Sequence, residues 1–258
     1  MRLDQKIAAD YNISRSKAQD DIKAGLVKVN DKVITKASFD VKDEDQIHME
    51  EADLAFASRA GFKLYDVLED FHIDLNNRIC MDVGASTGGF SDVCLQHGAK
   101  LVYALDVGKD QLIQRLKDDP RIVNMEQTNC RYLTKDMFDH PIDFACMDVS
   151  FISAKLILPS LFETMSYKEL VILIKPQFEA GKQNIGKHGI VKDSKVHMQV
   201  LQDMVNFVSE QGYYVHHLQS SSILGRDGNR EFVMHIKEEP SQNIFDYKRI
   251  IKENKIKR

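Results

Sequence analysis

The chain is 258 residues long, 43% hydrophobic and 29% charged, with five prolines and a formal net charge of −4. That mixture describes a globular protein with a proper core and excludes fibrous and disordered classes. A net negative charge excludes a uniformly basic nucleic-acid binder, so contact with a polyanion has to come from local patches.

The opening MRLDQKIAADYN is mixed in charge and lacks the apolar segment of a secretory signal. No apolar run reaches membrane-spanning length, LVILI at 170–174 being among the longest, so a cytoplasmic protein without membrane attachment is expected. Cys80, Cys94, Cys130 and Cys146 form no C-x-x-C pair, and the nine histidines show no H-x-x-x-H spacing. Zinc ribbons, iron–sulfur clusters and redox dithiols are disfavoured, and no metal is expected.

Residues 1–50 are predicted to hold two short helices and a hairpin. Ser14 is placed to cap the second helix, whose apolar residues Ala18 and Ile22 share a face, and Gly25 suits its end. Val27, Val29 and Val33 alternate around a polar Asn30–Asp31 turn. The stretches MRLDQKIA, SRSKAQDDIKAGLVKVNDKVI and DQIHM resemble the S4 RNA-binding domain. That resemblance implies that Arg15, Lys17, Lys23 and Lys28, supported by Arg2, meet RNA phosphates. The acidic VKDEDQIHMEEAD leads into a linker at 51–57.

A different period then begins. Leu64, Val67, Leu68 and Phe71 form a helical stripe, after which strands at 78–83, 101–107, 122–125, 144–148, 170–174, 213–218 and 232–236 alternate with helices at 90–97, 111–117, 154–164 and 195–210. Such alternation predicts an α/β domain over 58–240, with a mostly parallel sheet covered on both faces and its ligand at the carboxyl ends of the strands. A basic tail occupies 241–258.

The stretch CMDVGASTGGFSDVCLQHGAK places a glycine-rich loop between the first strand and its helix. A dinucleotide fingerprint needs a second glycine where Ser86 stands, and a P-loop needs lysine where Phe90 stands. What remains is D-x-G-x-x-x-G-G, spanning Asp82, Gly84, Ser86, Thr87, Gly88 and Gly89, with Asp106 and Val107 closing the next strand. Loop N–H groups and a helix start suit a carboxylate, Asp106 is placed for ribose hydroxyls, and Asp82 for a cationic head. S-adenosylmethionine carries an amino acid head and a ribose but no phosphate, and is the expected cofactor.

Lys63 lies in the helix before the first strand, Asp148 ends FACMDV, Lys175 ends LVILIK and Glu231 opens EFVMHI, so all four are expected at one edge of the sheet. Methylating an alcohol requires removal of its proton, and a neutral amine serves as base. Burial and a neighbouring ammonium both lower a lysine pKa, an effect Lys63 and Lys175 are expected to exert on each other.

The segments SRAGFKL, CMDVGASTGGFSDVCLQHGA, DVSFIS, LIKPQFEAGK and GNREF resemble the TlyA-type ribosomal RNA 2′-O-methyltransferases, which join an S4 domain to a Rossmann-like, FtsJ-like S-adenosylmethionine-dependent domain. The resemblance implies a Lys-Asp-Lys-Glu tetrad at Lys63, Asp148, Lys175 and Glu231, with Lys175 as base and Asp148 also beside the cofactor. It further implies Asn129 near the adenine, a cytidine ribose as target, and ribosomal RNA or a ribosomal subunit as partner. Lys182 and Lys187, in the loop EAGKQNIGKHGIVKD, are available for phosphates. Competing readings have less support. DVSF replaces the [ND]-P-P-[YF] of exocyclic-amine methylation, Cys146 sits inside a strand rather than in a cleft, and GRDGN lacks the leucine of a pseudouridine synthase motif. A non-enzymatic S4 protein, and a membrane-active haemolysin of the kind whose label this family has carried, are the remaining alternatives.

Overall fold

A computed structural model describes the chain apart from residues 12, 14, 24, 43, 50–55, 168, 187, 226, 227 and 254–258 and the side chains of 16, 17 and 20. The expected cap Ser14, the Lys17 side chain and Lys187 therefore lie outside the described residues. The chain divides into two compact units, Met1–Ala55 and Phe56–Arg258.

In the first unit, α1 (Leu3–Asp10) and α2 (Arg15–Lys23) share a core with a small antiparallel sheet of order β2-β1-β3. Its strands are β1 (Val27–Val29), β2 (Lys32–Val33) and β3 (Ile47–Met49). Asn30 and Asp31 take φ of 48° and 63°, the pair of left-handed residues that a two-residue hairpin turn requires. That turn sets Val33 opposite Lys28 rather than beside Val27 and Val29. Val33 is consequently 52% exposed, against the expectation from its alternation.

The second unit is built on a seven-stranded sheet of order β6-β5-β4-β7-β8-β10-β9. Its strands are β4 (Ile79–Val83), β5 (Leu101–Asp106), β6 (Ile122–Glu126), β7 (Phe144–Met147), β8 (Glu169–Ile174), β9 (Tyr214–Ser220) and β10 (Phe232–Lys237). The pairs from β6 to β8 are parallel, while β10 runs antiparallel to both β8 and β9. Chain order reverses at β4, where an open α/β sheet leaves a crevice at its carboxyl edge.

Side chains alternate across this sheet because strand residues point to opposite faces. Met81, Val83, Met147 and Ile172 join one core with α6 (Leu158–Thr164), α8 (Ser194–Glu210) and α9 (Tyr247–Lys252). Cys80, Cys146, Val171 and Leu173 join the other with α3 (Gly61–Asp70), α4 (Gly89–Gln96) and α5 (Gln114–Lys117).

Three elements depart from the sequence pattern. The helix expected at 111–117 begins only at Gln114, because the N–H groups of Asp110, Gln111 and Leu112 all donate to the Glu126 carboxylate. The helix expected at 154–164 is divided into a 3-10 turn, Ala154–Leu156, and α6, whose first turn holds a proline. Within the expected basic tail, α9 buries Ile250 and Ile251 in the core of this unit.

Candidate active site

Asp148 directly follows β7, and Lys175 directly follows β8. Glu231 immediately precedes β10; the antiparallel register sets Phe232 opposite Ile174, which carries Glu231 to the carboxyl edge of the parallel strands. Lys63, in the first turn of α3, reaches the same edge. Its Nζ lies 2.7 Å from Glu231 Oε2 and 3.2 Å from Asp148 Oδ2, and Lys175 Nζ lies 2.5 Å from Asp148 Oδ1. Four residues remote in sequence thus form one continuous chain of charges, Glu231–Lys63–Asp148–Lys175. Lys175 also donates to Ser150 Oγ at 2.9 Å.

The side chains of this cluster are 2–12% exposed. Burial opposes the Lys63 ammonium, but the fields of Asp148 and Glu231 and their hydrogen bonds outweigh it, holding Lys63 above the ordinary lysine range. This corrects the expectation that Lys63 is depressed: its nearest charges are two acids, not an ammonium. Burial likewise opposes the Asp148 carboxylate, yet Lys63 and Lys175 hold it down at about 2.

The glycine-rich loop crosses the same edge. Gly84 has φ of +84°, and a Cβ there would stand 2.7 Å from the Asp148 carbonyl oxygen, so the loop can pass the end of β7 only as glycine. Gly88 takes φ of +96° where α4 begins, followed by the buried Gly89. Asp82 is fully buried. Its Oδ2 accepts both the N–H and the hydroxyl of Ser91, at 2.8 and 2.7 Å, while Oδ1 has no partner among the described residues.

Asp106 is partly exposed and accepts the N–H groups of Ser86 at 2.8 Å and Gly108 at 2.7 Å. Each of its oxygens keeps a lone pair for a further donor. Ser86 and Thr87 are accessible beside it, and Val107 is 77% exposed. Asn129 is exposed, and its Oδ1 accepts the Arg131 N–H at 3.1 Å, capping a 3-10 turn. An unpartnered buried carboxylate oxygen, a close-packed glycine loop and a ribose-height acid fit a ligand with a cationic head, a ribose and no phosphate.

Three further residues adjoin the cluster in sequence or space. Phe151 is 91% exposed with φ of +66° and packs on Phe178 at 5.3 Å between ring centroids; an aromatic residue three positions beyond Asp148, in DVSF, was the available signal. Gly225 lies so close to Glu231 that a Cβ would stand 2.1 Å from Oε1. Asn229, only 4% exposed, pins the loop before Glu231.

In the first unit, Arg2 and Arg15 are not free cations. Both donate to the fully buried Asp4, each at 3.0 Å, and Gln19 donates to it at 2.7 Å. The Arg2 hydrogen bonds lead in holding the Asp4 carboxyl well below the usual carboxylate range. The two arginine side chains remain 44% and 49% exposed. Lys23 is exposed, Lys28 is half-buried, and in the second unit Lys182 is exposed in a 3-10 turn.

Residues 56–238 match the FtsJ-like methyltransferase family, and residues 1–47 match the S4 domain. The chain belongs to the FtsJ-like methyltransferases. It is 36% identical over 86% of its length to the 16S/23S rRNA (cytidine-2'-O)-methyltransferase TlyA of Mycobacterium tuberculosis, covering 83% of that protein. It is 42% identical over 91% of its length to Hemolysin A of Brachyspira hyodysenteriae, covering 99% of it. A solved structure described as a hemolysin from Streptococcus thermophilus superposes with a TM-score of 0.79 at 38% identity, over 97% of this chain and 94% of that one. Both FtsJ-like methyltransferases and hemolysin-named proteins therefore share this architecture. Among the described residues no helix is long and apolar enough to cross a membrane, and no group of His, Cys, Asp or Glu side chains is placed to hold a metal ion.

Proposed function

We propose that this methyltransferase transfers a methyl group from S-adenosylmethionine to a ribose 2′-hydroxyl of ribosomal RNA, a cytidine by analogy with the TlyA relatives, in the cytoplasm. The observation that carries the reading is the Glu231–Lys63–Asp148–Lys175 chain at the carboxyl edge of the sheet, beside the glycine loop. Bound in that loop, S-adenosylmethionine would supply an electrophilic methyl group. Asp106 would hold its ribose, Asn129 would lie near its adenine, and the buried Asp82, with its unpartnered Oδ1, would sit beneath its cationic head.

Within the cluster the two lysines divide the work. Lys63 is committed to two acids and stays charged, so it orients Asp148 and Glu231. Lys175 contacts one acid and a serine hydroxyl. It would accept the ribose proton as the methyl group passes to the ribose oxygen and its bond to the sulfonium sulfur breaks, leaving S-adenosylhomocysteine. Holding oxygen and methyl in line supplies much of the rate, up to about 7–11 kcal/mol in well-oriented reactions. The Phe151 ring offers a flat face for an unstacked base. In the first unit, Arg2, Arg15, Lys23 and Lys28, with Lys17, engage phosphates of folded RNA.

The haemolysin reading finds less support. Strands whose two faces both enter helix-covered cores suit an enzyme sheet rather than one with a lipid-facing side.

Transfer of labelled methyl groups to ribosomal RNA, followed by nucleoside analysis, tests the assignment. Lys175→Ala is expected to lower turnover by at least about 100-fold, in the range of general-base removal, with cofactor affinity retained. Normal turnover in that variant would remove Lys175 as the base, and label on a base rather than a ribose would remove the reaction.

A further inference from the structure

Two loops approach the cluster from outside it, and one side chain joins them. Between α7 (Pro176–Glu179) and α8, the Gly186 N–H donates to the Ile190 carbonyl at 3.1 Å and the Gly189 N–H to the Gly186 carbonyl at 2.9 Å, closing a turn. Gly186, His188 and Gly189 are exposed, but the turn ends on Val191, which is 3% exposed. The other loop leaves β9 and arrives at Glu231.

Asn229 stands at the junction, 4% exposed. Its Oδ1 accepts the Val191 N–H at 3.1 Å while its Nδ2 donates to the Gly189 carbonyl at 3.0 Å. Its own carbonyl accepts the Gly225 N–H at 2.8 Å. Gly225 is the residue that abuts the Glu231 carboxylate. Val191 is gripped a second time by α8, through His197 Nε2 at 3.0 Å from its carbonyl oxygen. A carboxylate cannot donate and a hydroxyl is too short for both partners, so only an amide of this length makes the joint.

We propose that Asn229 is a positioning residue that locks the Gly189 and Val191 backbone to the backbone against Glu231, so that this turn and the tetrad carboxylate move as one body. RNA that settles on the turn then bears directly on the acid that Lys63 holds. The proposal rests on the RNA methyltransferase reading above for its substrate, though not for its geometry.

Two full-length variants test it. Asn229→Asp keeps the acceptor, removes the donor and sets a carboxylate against the Gly189 carbonyl. Gly189→Ala leaves Asn229 and the core untouched: nothing lies within 4 Å of the new Cβ, but φ of +73° strains the turn itself. Trypsin, which cuts after Lys182, Lys187 and Lys192, reads the state of the turn. Calorimetry with S-adenosylmethionine reads the cofactor site, and methyl transfer to ribosomal RNA reads the substrate. In both variants cleavage between 182 and 192 is expected to accelerate and kcat on ribosomal RNA to fall, each about tenfold for Asn229→Asp, as one lost buried hydrogen bond dictates. Cofactor affinity should stay at the wild-type value.

Wild-type cleavage rates in both variants, or faster cleavage with an unaltered kcat, would overturn the coupling. Should Asn229→Asp fail to fold, the surface variant Gly189→Ala decides by the same readouts. A wild-type enzyme inactive on ribosomal RNA would instead overturn the substrate assignment, and the cleavage measurement would still test the lock.

Discussion

Lys63 sits at the centre of its cluster because it alone touches both acids, and the pH behaviour of the site follows from that. Asp148, held at about 2, contributes stability above its unfolded value of roughly 3.9 and loses it as pH falls toward 2. Lys63, held high, contributes below its unfolded value of about 10.4 and loses it only in stronger alkali. The mutual stabilisation is therefore whole across the neutral range.

Asp82 works in the opposite direction. Burial, only partly offset by the two Ser91 hydrogen bonds, pushes it up to about 7. The folded protein then retains a proton that the unfolded chain has shed above about pH 4, so stability declines as pH climbs from there to about 7. Asp82→Asn is accordingly expected to raise Tm at about pH 8 and to have little effect at about pH 4. A Tm difference that is the same at both pH values would show that the ionised carboxylate carries no burial penalty.

Glu231 has a steric dependence instead. Gly225→Ala would place a methyl group 2.1 Å from its Oε1. Displacing a positioned group by about 1 Å costs on the order of 100-fold in rate. Circular dichroism should show a retained fold with turnover reduced by about that factor, and unchanged kinetics would mean that Glu231 has room to move.

Among the elements, α9 shows how a charged segment escapes a hydropathy reading. Its sequence YKRIIK presents three cations in six residues, and two adjacent isoleucines do not by themselves mark a core helix. The packing partners come from α8 and β9, and Arg230, next to Glu231, donates to the carbonyls of Ile251 and Glu253 at the far end of α9. Ile251→Ala is expected to destabilise the protein by about 2 kcal/mol, the low end for a core truncation, since the residue keeps 9% of its exposure. Denaturant titration measures this, and a change below about 0.5 kcal/mol would return the segment to the surface class. The late start of α5 has an equally local cause in Glu126, whose carboxylate takes the amides that a first helical turn would otherwise leave unsatisfied. In both cases a side chain distant in sequence decided the element boundary.

At the scale of the whole molecule, each unit concentrates charge differently. The first unit keeps Arg2 and Arg15 in fixed positions on Asp4, which would lower the side-chain entropy lost on the proposed contact with a phosphate. Arg15→Gln leaves Arg2 and Gln19 on the buried acid. It is expected to weaken RNA binding and to reduce the slope of log affinity against log salt by about one. An identical slope would take Arg15 out of the interface. The second unit instead gathers its charges at one edge of a sheet, where the order of strands reverses at β4.

Periodicity in the sequence determined the alternation of strands and helices from β4 to β10, because apolar spacing is a local consequence of which side chains enter a core. The glycine loop was equally legible, since failed dinucleotide and P-loop patterns narrow the ligand by elimination. Tertiary structure alone decided that Glu231 meets Lys63. A residue at the start of a strand reaches the carboxyl edge only if that strand runs antiparallel, and pairing direction is a long-range property. It also decided the charge state of Lys63, which depends on two carboxylates 85 and 168 residues away along the chain. Electrostatic interactions fall off with distance in space and take no account of separation in sequence.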